Sequence, residues 1–115
     1  MILKSHNNNY MKKTVKFHDY LIKSLKNKKE ASTYLNVVLE EYKKDNDAEA
    51  FLLALRDVAE AQGGLSSLAK KTKLNRQNLY RTLSSKGNPQ FNTLGTILNG
   101  LGFHLAIQPT SSLAK

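Results

Sequence analysis

The sequence predicts a mainly α domain of five helices that ends in one β-strand, and three observations support this fold class. Apolar residues recur at spacings typical of one helix face, as from Ala31 to Tyr42. Asparagine and glycine residues stand where such helices begin and end. Near the C-terminus, Phe103, Leu105 and Ile107 alternate with other residues, which is typical of a strand. The length of 115 residues indicates one compact domain.

The first 16 residues are predicted to form a flexible basic arm. Lysines surround three consecutive asparagines there, and no apolar periodicity is present. Met11 is an alternative start of translation. The domain itself is expected over residues 17–108, with a helical extension at its N-terminal side. Phe17, Tyr20 and Leu21 are the candidate residues that anchor a short turn there. Residues 109–115 then form a polar tail.

Two amphipathic helices are predicted first. One spans about residues 28–44, with Asn27 as a candidate N-cap. The second spans about residues 48–62, with Asp47 placed to cap it. The glycines at positions 63 and 64 end this second helix, because glycine readily takes the left-handed conformation at a helix C-terminus.

Three shorter helices follow, and the strand completes the domain. The predicted helices cover about residues 65–72, 76–84 and 92–99. Asn75 and Asn92 are the candidate N-caps of the last two. The strand is expected over residues 103–108, where Pro109 ends it.

Charge is distributed unevenly along the chain, whose net charge is +9. Residues 1–29 carry a net +7, residues 30–60 a net −5, and residues 61–115 a net +7 without a single acidic residue. A long basic segment without acids favours a polyanionic partner such as nucleic acid.

Composition argues against several other classes of protein. The chain has no cysteine and hence no disulfide framework or thiolate metal site. His6, His18 and His104 show no metal-ligand spacing, and no phosphate-binding glycine motif follows a strand. No apolar run is long enough to span a bilayer. The sequence therefore predicts a cytoplasmic protein that is not an enzyme, has no cofactor and does not contact a membrane.

The third and fourth helices form a predicted helix-turn-helix. Ala69 is small enough for the two helices to cross closely, and Leu74 in the turn is placed to fill the core between them. The turn position held by Lys73 often requires a positive φ, where glycine is usual. The alternative that the chain leaves open is a generic helical hairpin with a solvated outer face.

In a helix-turn-helix the second helix enters the major groove of DNA. Its exposed side chains are therefore the predicted base contacts. All of them can form hydrogen bonds, and none is acidic. They are Arg76, Gln77, Asn78, Tyr80 and Arg81. Polar residues at the surrounding helix starts and in the following loop are the predicted phosphate contacts. They are Ser66, Ser67, Lys86, Asn88, Gln90 and Thr93.

Three segments of the chain are especially distinctive: FLLALRDVAEAQGG, SSLAKKTKLNRQNLYRTLS and GNPQFNTL, which begin at residues 51, 66 and 87. They are the most specific parts of a resemblance over residues 17–108 to a known family, the addiction module antidote proteins, which are HigA-like type II antitoxins with a lambda-repressor-like (Xre) helix-turn-helix domain. The chain departs from the family pattern at Lys73, at Gly95 and in its extended N-terminus.

The resemblance implies an antitoxin that binds and blocks a RelE/HigB-like ribonuclease toxin and represses the shared operon. A phage-type transcriptional repressor without a toxin partner is the alternative within the DNA-binding class. A basic RNA-acting toxin is a third hypothesis, and the lack of a cluster of His, Glu and Arg residues argues against it.

Two further surfaces are expected from charge and pattern. The acidic middle of the chain is a candidate toxin-binding surface, because a ribonuclease that attracts RNA has a basic active face. The alternative is an ordinary solvated helix face. Its candidate residues are Glu40, Glu41, Asp45, Asp47 and Glu49. Antiparallel pairing of the C-terminal strand with the same strand of a second copy would make a homodimer, and such a dimer suits a palindromic operator in double-stranded DNA. Its dimerisation residues are Phe103, Leu105 and Ile107, which are expected to face inward toward the helices. The alternative is pairing with the N-terminal arm of the same chain, which leaves a monomer.

Overall fold

The computed structural model describes residues 15–110, and this part of the chain contains six helices. Helix α1 covers residues 15–24. The others are α2 (Lys28–Asp45), α3 (Glu49–Ala61), α4 (Gly64–Thr72), α5 (Arg76–Thr82) and α6 (Phe91–Gly100). The helical architecture is compatible with the predicted mainly α class. None of the described helices combines the length and the apolar character needed to cross a bilayer.

Helix α1 lies where a helical extension with a short anchoring turn was predicted, so the described residues form six helices and not the five of the predicted fold class. Its Phe17 and Tyr20 are 64% and 71% exposed, so they are not the residues that fix it to the domain. Leu21, the third predicted anchor, does pack against the core, and Leu25, which directly follows the helix, is fully buried. The predicted flexible arm lies outside the described residues as far as residue 14, and residues 15 and 16 belong to α1.

Helix α3 supplies the centre of the core. Because its apolar residues recur on one face, it buries more side chains than any other described helix. They are Phe51, Leu52, Ala54, Leu55, Val58 and Ala59. Helices α2 and α4 both pack against α3. At its C-terminal end, Gln62 donates hydrogen bonds to the carbonyl oxygens of Leu25 and Lys26, so α3 is tied to the turn between α1 and α2.

Asparagine caps were predicted at three helix starts, and two of them are confirmed. The Asn27 side chain accepts a hydrogen bond from the Glu30 N–H, and the Asn75 side chain accepts from both Gln77 and Asn78. The third prediction is wrong: α6 begins at Phe91, so Asn92 lies inside its first turn. There the Asn92 side chain accepts a hydrogen bond from the neighbouring Thr93 N–H at 2.9 Å.

A tight turn joins α4 to α5. Lys73 has a φ of 63° and ends α4 with its N–H donating to the Ala69 carbonyl. The positive φ expected at this position is therefore confirmed, although a lysine and not a glycine adopts it. Leu74 follows and packs against the core, while its N–H donates to the Thr72 hydroxyl at 3.2 Å.

The end of α6 is held by the start of α2. The Lys28 ammonium donates a hydrogen bond to the Leu101 carbonyl and lies 5.4 Å from the centre of the Phe103 ring. Gly102 stands between them with a φ of 91°, and a Cβ at this position would lie 2.6 Å from the Lys28 Nζ. A side chain at position 102 would therefore disturb the contact that joins the two ends of the domain.

The predicted C-terminal strand is wrong. Residues 103–110 have no regular secondary structure, and no strand occurs between residues 15 and 110. Of the three residues expected on the inward face, only Phe103 packs against the core; Leu105 is 43% exposed and Ile107 fully exposed. Alternation alone predicts two faces, but a strand also needs a backbone partner, and the described residues contain none.

Candidate nucleic-acid interface

Helix α5 presents five hydrogen-bonding side chains to the outside, here called the α5 face. They are the predicted base contacts Arg76, Gln77, Asn78, Tyr80 and Arg81, and all five are exposed. Leu79, inside the helix, and Leu83, which ends it, are almost completely buried. These two leucines fix the orientation of the helix, because they leave only the opposite face to solvent.

The α5 face is concave at one side. Four of its residues and Ser84 line an open depression, and Tyr80 lies within it. The Tyr80 ring stacks on the guanidinium of Arg56, which projects from α3, at 4.1 Å from the ring centre to Cζ. Sequence analysis missed Arg56, because the contact joins residues 24 positions apart. The only available signal was that Arg56 is the single basic residue of α3.

A second depression connects the α5 face with the start of α6. Asn78 and Arg81 line one part of it, and the predicted phosphate contacts Asn88, Gln90 and Thr93 line another. The structure therefore brings three of the six predicted phosphate contacts next to two predicted base contacts. Such an arrangement allows one duplex to be contacted on its backbone and its base edges together.

The other three predicted phosphate contacts do not line either depression. Ser66 and Lys86 are exposed, and Ser67 is half-buried in the first turns of α4. The Lys86 N–H donates to the Ser84 hydroxyl at 3.3 Å, which orders the loop after α5 while the lysine side chain remains in solvent.

This surface carries basic and neutral side chains and no acidic one. Residues 61–115 contain no acidic residue, and none of the ion pairs formed among residues 15–110 involves a residue after position 60. The charges of Arg76, Arg81 and Lys86 are thus not neutralised by salt bridges in the described structure. A surface of this kind attracts a polyanion and makes its binding sensitive to salt.

The predicted toxin-binding acids are exposed at the end of α2 and the start of α3. Glu40 and Glu41 form ion pairs with Lys43 and Lys44, at 3.0 and 3.5 Å. Because these pairs are formed within one helix, part of the expected negative charge is balanced locally. Asp45 and Asp47 accept backbone N–H groups instead, and the Asp47 bond to the Glu49 N–H stabilises the start of α3.

A polar cluster that sequence analysis missed joins α1, α2 and α3. The ligand atoms of His18, Asp57 and Glu60 lie within 4.8 Å of one another, close enough to share a cation. Asp57 also accepts a hydrogen bond from the Tyr34 hydroxyl at 3.0 Å. Burial raises the pKa of Asp57 above its usual value. The signal available in the sequence was the i, i+3 spacing of Asp57 and Glu60, which places both on one face of α3.

The chain was compared with known proteins. Residues 13–109 match the profile of a family described as probable addiction module antidote protein. A protein of Haemophilus influenzae, described only as an uncharacterized protein, is 33% identical over 84 residues, which span 73% of this chain and 81% of that protein. No solved structure matches the chain significantly. The match across nearly the whole chain shows that it belongs to the family of probable addiction module antidote proteins.

Proposed function

We propose that this chain is the antitoxin of a type II toxin–antitoxin system, that it binds operator DNA through α4 and α5, and that it neutralises a RelE/HigB-like ribonuclease. Membership of the antidote family supports an antitoxin role in an addiction module and implies a cognate toxin. The same membership favours an antitoxin over a phage-type repressor without a toxin. We place both functions in the cytoplasm, where operator and toxin are found.

The observation that carries the DNA-binding part is the α5 face. Five exposed side chains with hydrogen-bonding groups and no acid project from a short helix that two buried leucines orient. Arginine suits the edge of guanine, and glutamine or asparagine suits adenine. The adjacent Asn88, Gln90 and Thr93 are proposed to contact phosphates and thereby to set the register of the helix on the duplex.

The direct test is selection of duplexes from a random-sequence library by the wild-type protein, followed by affinity measurements on the enriched sequence. Arg76→Ala is expected to cost about 1–3 kcal/mol on that sequence and to relax preference at one base pair. The matched control is Lys44→Ala on α2, which lies far from α5 in sequence and pairs with Glu41. If the wild-type protein enriches no sequence, the proposed DNA-binding function is wrong.

Toxin binding is proposed for the acidic residues Glu40, Glu41, Asp45, Asp47 and Glu49. Reversal of Glu40 and Glu41 to lysine is expected to weaken binding to the toxin encoded beside the gene, and more strongly at low salt than at high salt. Reversal of Lys43 and Lys44 to glutamate breaks the same two ion pairs but changes charge in the other direction, so it serves as the control. Equal affinities for both variants and the wild type would exclude this surface.

Homodimerisation is proposed as the way in which two copies occupy a palindromic site, because paired subunits meet successive major grooves. The candidate contacts remain Phe103, Leu105 and Ile107, of which the last two offer exposed apolar surface. Analytical ultracentrifugation of the wild type and of a Leu105→Asp, Ile107→Asp variant tests this. A wild type that stays monomeric at tens of micromolar contradicts the proposal.

A further inference from the structure

A contact between α3 and α5 lies at the edge of the proposed interface. Arg56 is half-buried on α3, and its guanidinium covers one side of the Tyr80 ring at 4.1 Å from the ring centre. Arginine favours such stacking because its planar, delocalised cation is attracted to the electron-rich face of an aromatic ring. Tyr80 itself is 53% exposed, so the contact leaves the remainder of the ring open to solvent.

The position of Tyr80 connects this contact with the proposed DNA-binding surface. Tyr80 lines the same depression as Arg76, Gln77 and Arg81, which are the first residues and the next turn of α5. An exposed tyrosine on a helix surface can exchange between the staggered rotamers that the helix allows unless a neighbour favours one of them. Arg56 is the neighbour that covers one face of the Tyr80 ring here, and it comes from α3, which buries the most side chains of the described helices.

We infer that Arg56 is a positioning residue for DNA recognition: it holds the Tyr80 ring in one orientation, so that Tyr80 contributes to the preference for one base pair. The inference rests on the proposed DNA-binding function. Arg56 acts through Tyr80, and its side chain need not contact the duplex. Side chains that are fixed before binding lose less conformational entropy in the complex, and this favours the sequence that fits the fixed geometry.

Two alternative roles for Arg56 predict different experimental results. A phosphate contact made by its guanidinium would strengthen binding to all sequences equally and add about one unit to the slope of log K against log salt. If Arg56 were purely structural, its replacement would lower the free energy of unfolding of the domain without changing which DNA sequences are preferred. A positioning role changes the preference at one base pair and leaves the salt slope as it is.

The experiment is selection from the random-duplex library with the full chain and five variants: Arg56→Ala, Arg56→Lys, Tyr80→Ala, Arg76→Ala and the double variant that carries Arg56→Ala and Tyr80→Ala. Arg56→Ala and Tyr80→Ala are expected to relax preference at the same base pair, whereas Arg76→Ala relaxes another. Affinity for the wild-type sequence should fall about two- to fivefold in Arg56→Ala, as expected for an exposed cation–π contact. Arg56→Ala should have no further effect when Tyr80 is already alanine.

Arg56→Lys keeps the charge but lacks the planar group, and it is the variant to use if Arg56→Ala does not fold. It is expected to relax the same base pair as Tyr80→Ala while the salt slope stays unchanged. A loss of affinity that is equal on all sequences, with a lower salt slope, would overturn the inference, and so would unchanged preference in either Arg56 variant. If the wild type enriches no sequence at all, the proposed function has failed instead.

Discussion

The Tyr34 hydroxyl donates a hydrogen bond to Oδ2 of Asp57 at 3.0 Å and thereby joins α2 to α3. Burial, followed by this bond and the charge of Asp57, raises the pKa of Tyr34 to about 12. In the unfolded chain a tyrosine titrates near pH ~10. The folded state therefore holds the proton more tightly, and the stability that results is complete below pH ~10 and lost as the pH rises through about 12.

Tyr34→Phe is expected to remove this pH dependence. Urea unfolding between pH 9 and 12 should show a smaller loss of stability with rising pH in the variant than in the wild type. The control is Tyr42→Phe, which changes an exposed tyrosine on the same helix and should keep the wild-type dependence. Parallel pH curves for the wild type and Tyr34→Phe would show that the hydroxyl does not contribute.

The left-handed conformation of Lys73 predicts a stabilising substitution. With a φ of 63°, this residue adopts a conformation that costs a side-chain-bearing residue on the order of 1 kcal/mol. Lys73→Gly is expected to raise the free energy of unfolding by about 1 kcal/mol, measured by urea denaturation. Lys70→Gly, within helix α4, should lower it by a similar amount because glycine is a poor helix former. A Lys73→Gly variant less stable than the wild type would contradict this account.

Alanine substitutions at two glycines near the C-terminus should change the stability of the domain in opposite directions. Gly95 lies inside α6, and a Cβ there would meet open space, so Gly95→Ala is expected to stabilise the domain by about 0.5–1 kcal/mol. Gly102 combines a φ of 91° with the close approach of Lys28. Gly102→Ala should cost about 1–2 kcal/mol, because it strains the backbone and displaces the lysine from the Leu101 carbonyl. Thermal unfolding of both variants distinguishes them, and shifts of the same sign would be inconsistent with these contacts.

Lys86 should act on DNA without regard to sequence. Its side chain is exposed in the loop between α5 and α6, where no acid neutralises it in the described structure. Lys86→Ala is expected to weaken binding to selected and random duplexes equally and to lower the salt slope by about one unit. Fluorescence anisotropy at several salt concentrations measures both effects. The control Lys44→Ala should leave the slope unchanged, and an unchanged slope in Lys86→Ala would remove this residue from the interface.

Local signals in the sequence were sufficient for helices α2 to α5. Their apolar spacing, the caps at Asn27 and Asn75, and the positive φ at position 73 depend on neighbouring residues only. The same reasoning failed for residues 103–108, because strand formation depends on a partner that the chain pattern does not specify. It was wrong about two of the three residues expected to anchor α1, since Phe17 and Tyr20 are exposed and only Leu21 packs against the core.

The contacts that complete the candidate site were not predictable for a related reason. Arg56 meets Tyr80 across two helices, and His18 meets Asp57 across a large separation in the sequence. Each pair depends on how two helices pack together and not on the spacing of apolar residues within either helix. The closeness of Asn88, Gln90 and Thr93 to Asn78 was, by contrast, predictable, because only a short loop separates α5 from α6.

The small burial of α5 has a consequence for how this part of the molecule moves. Within its seven residues only Leu79 is buried, whereas α3 buries six side chains. Segments with few buried contacts open locally at a lower free energy than the domain as a whole. The amides of α5 should therefore exchange with solvent through brief fraying that leaves α3 intact. Under the proposed function, a duplex bound to α5 would suppress this fraying, so part of the binding energy would go into ordering the helix that contacts it.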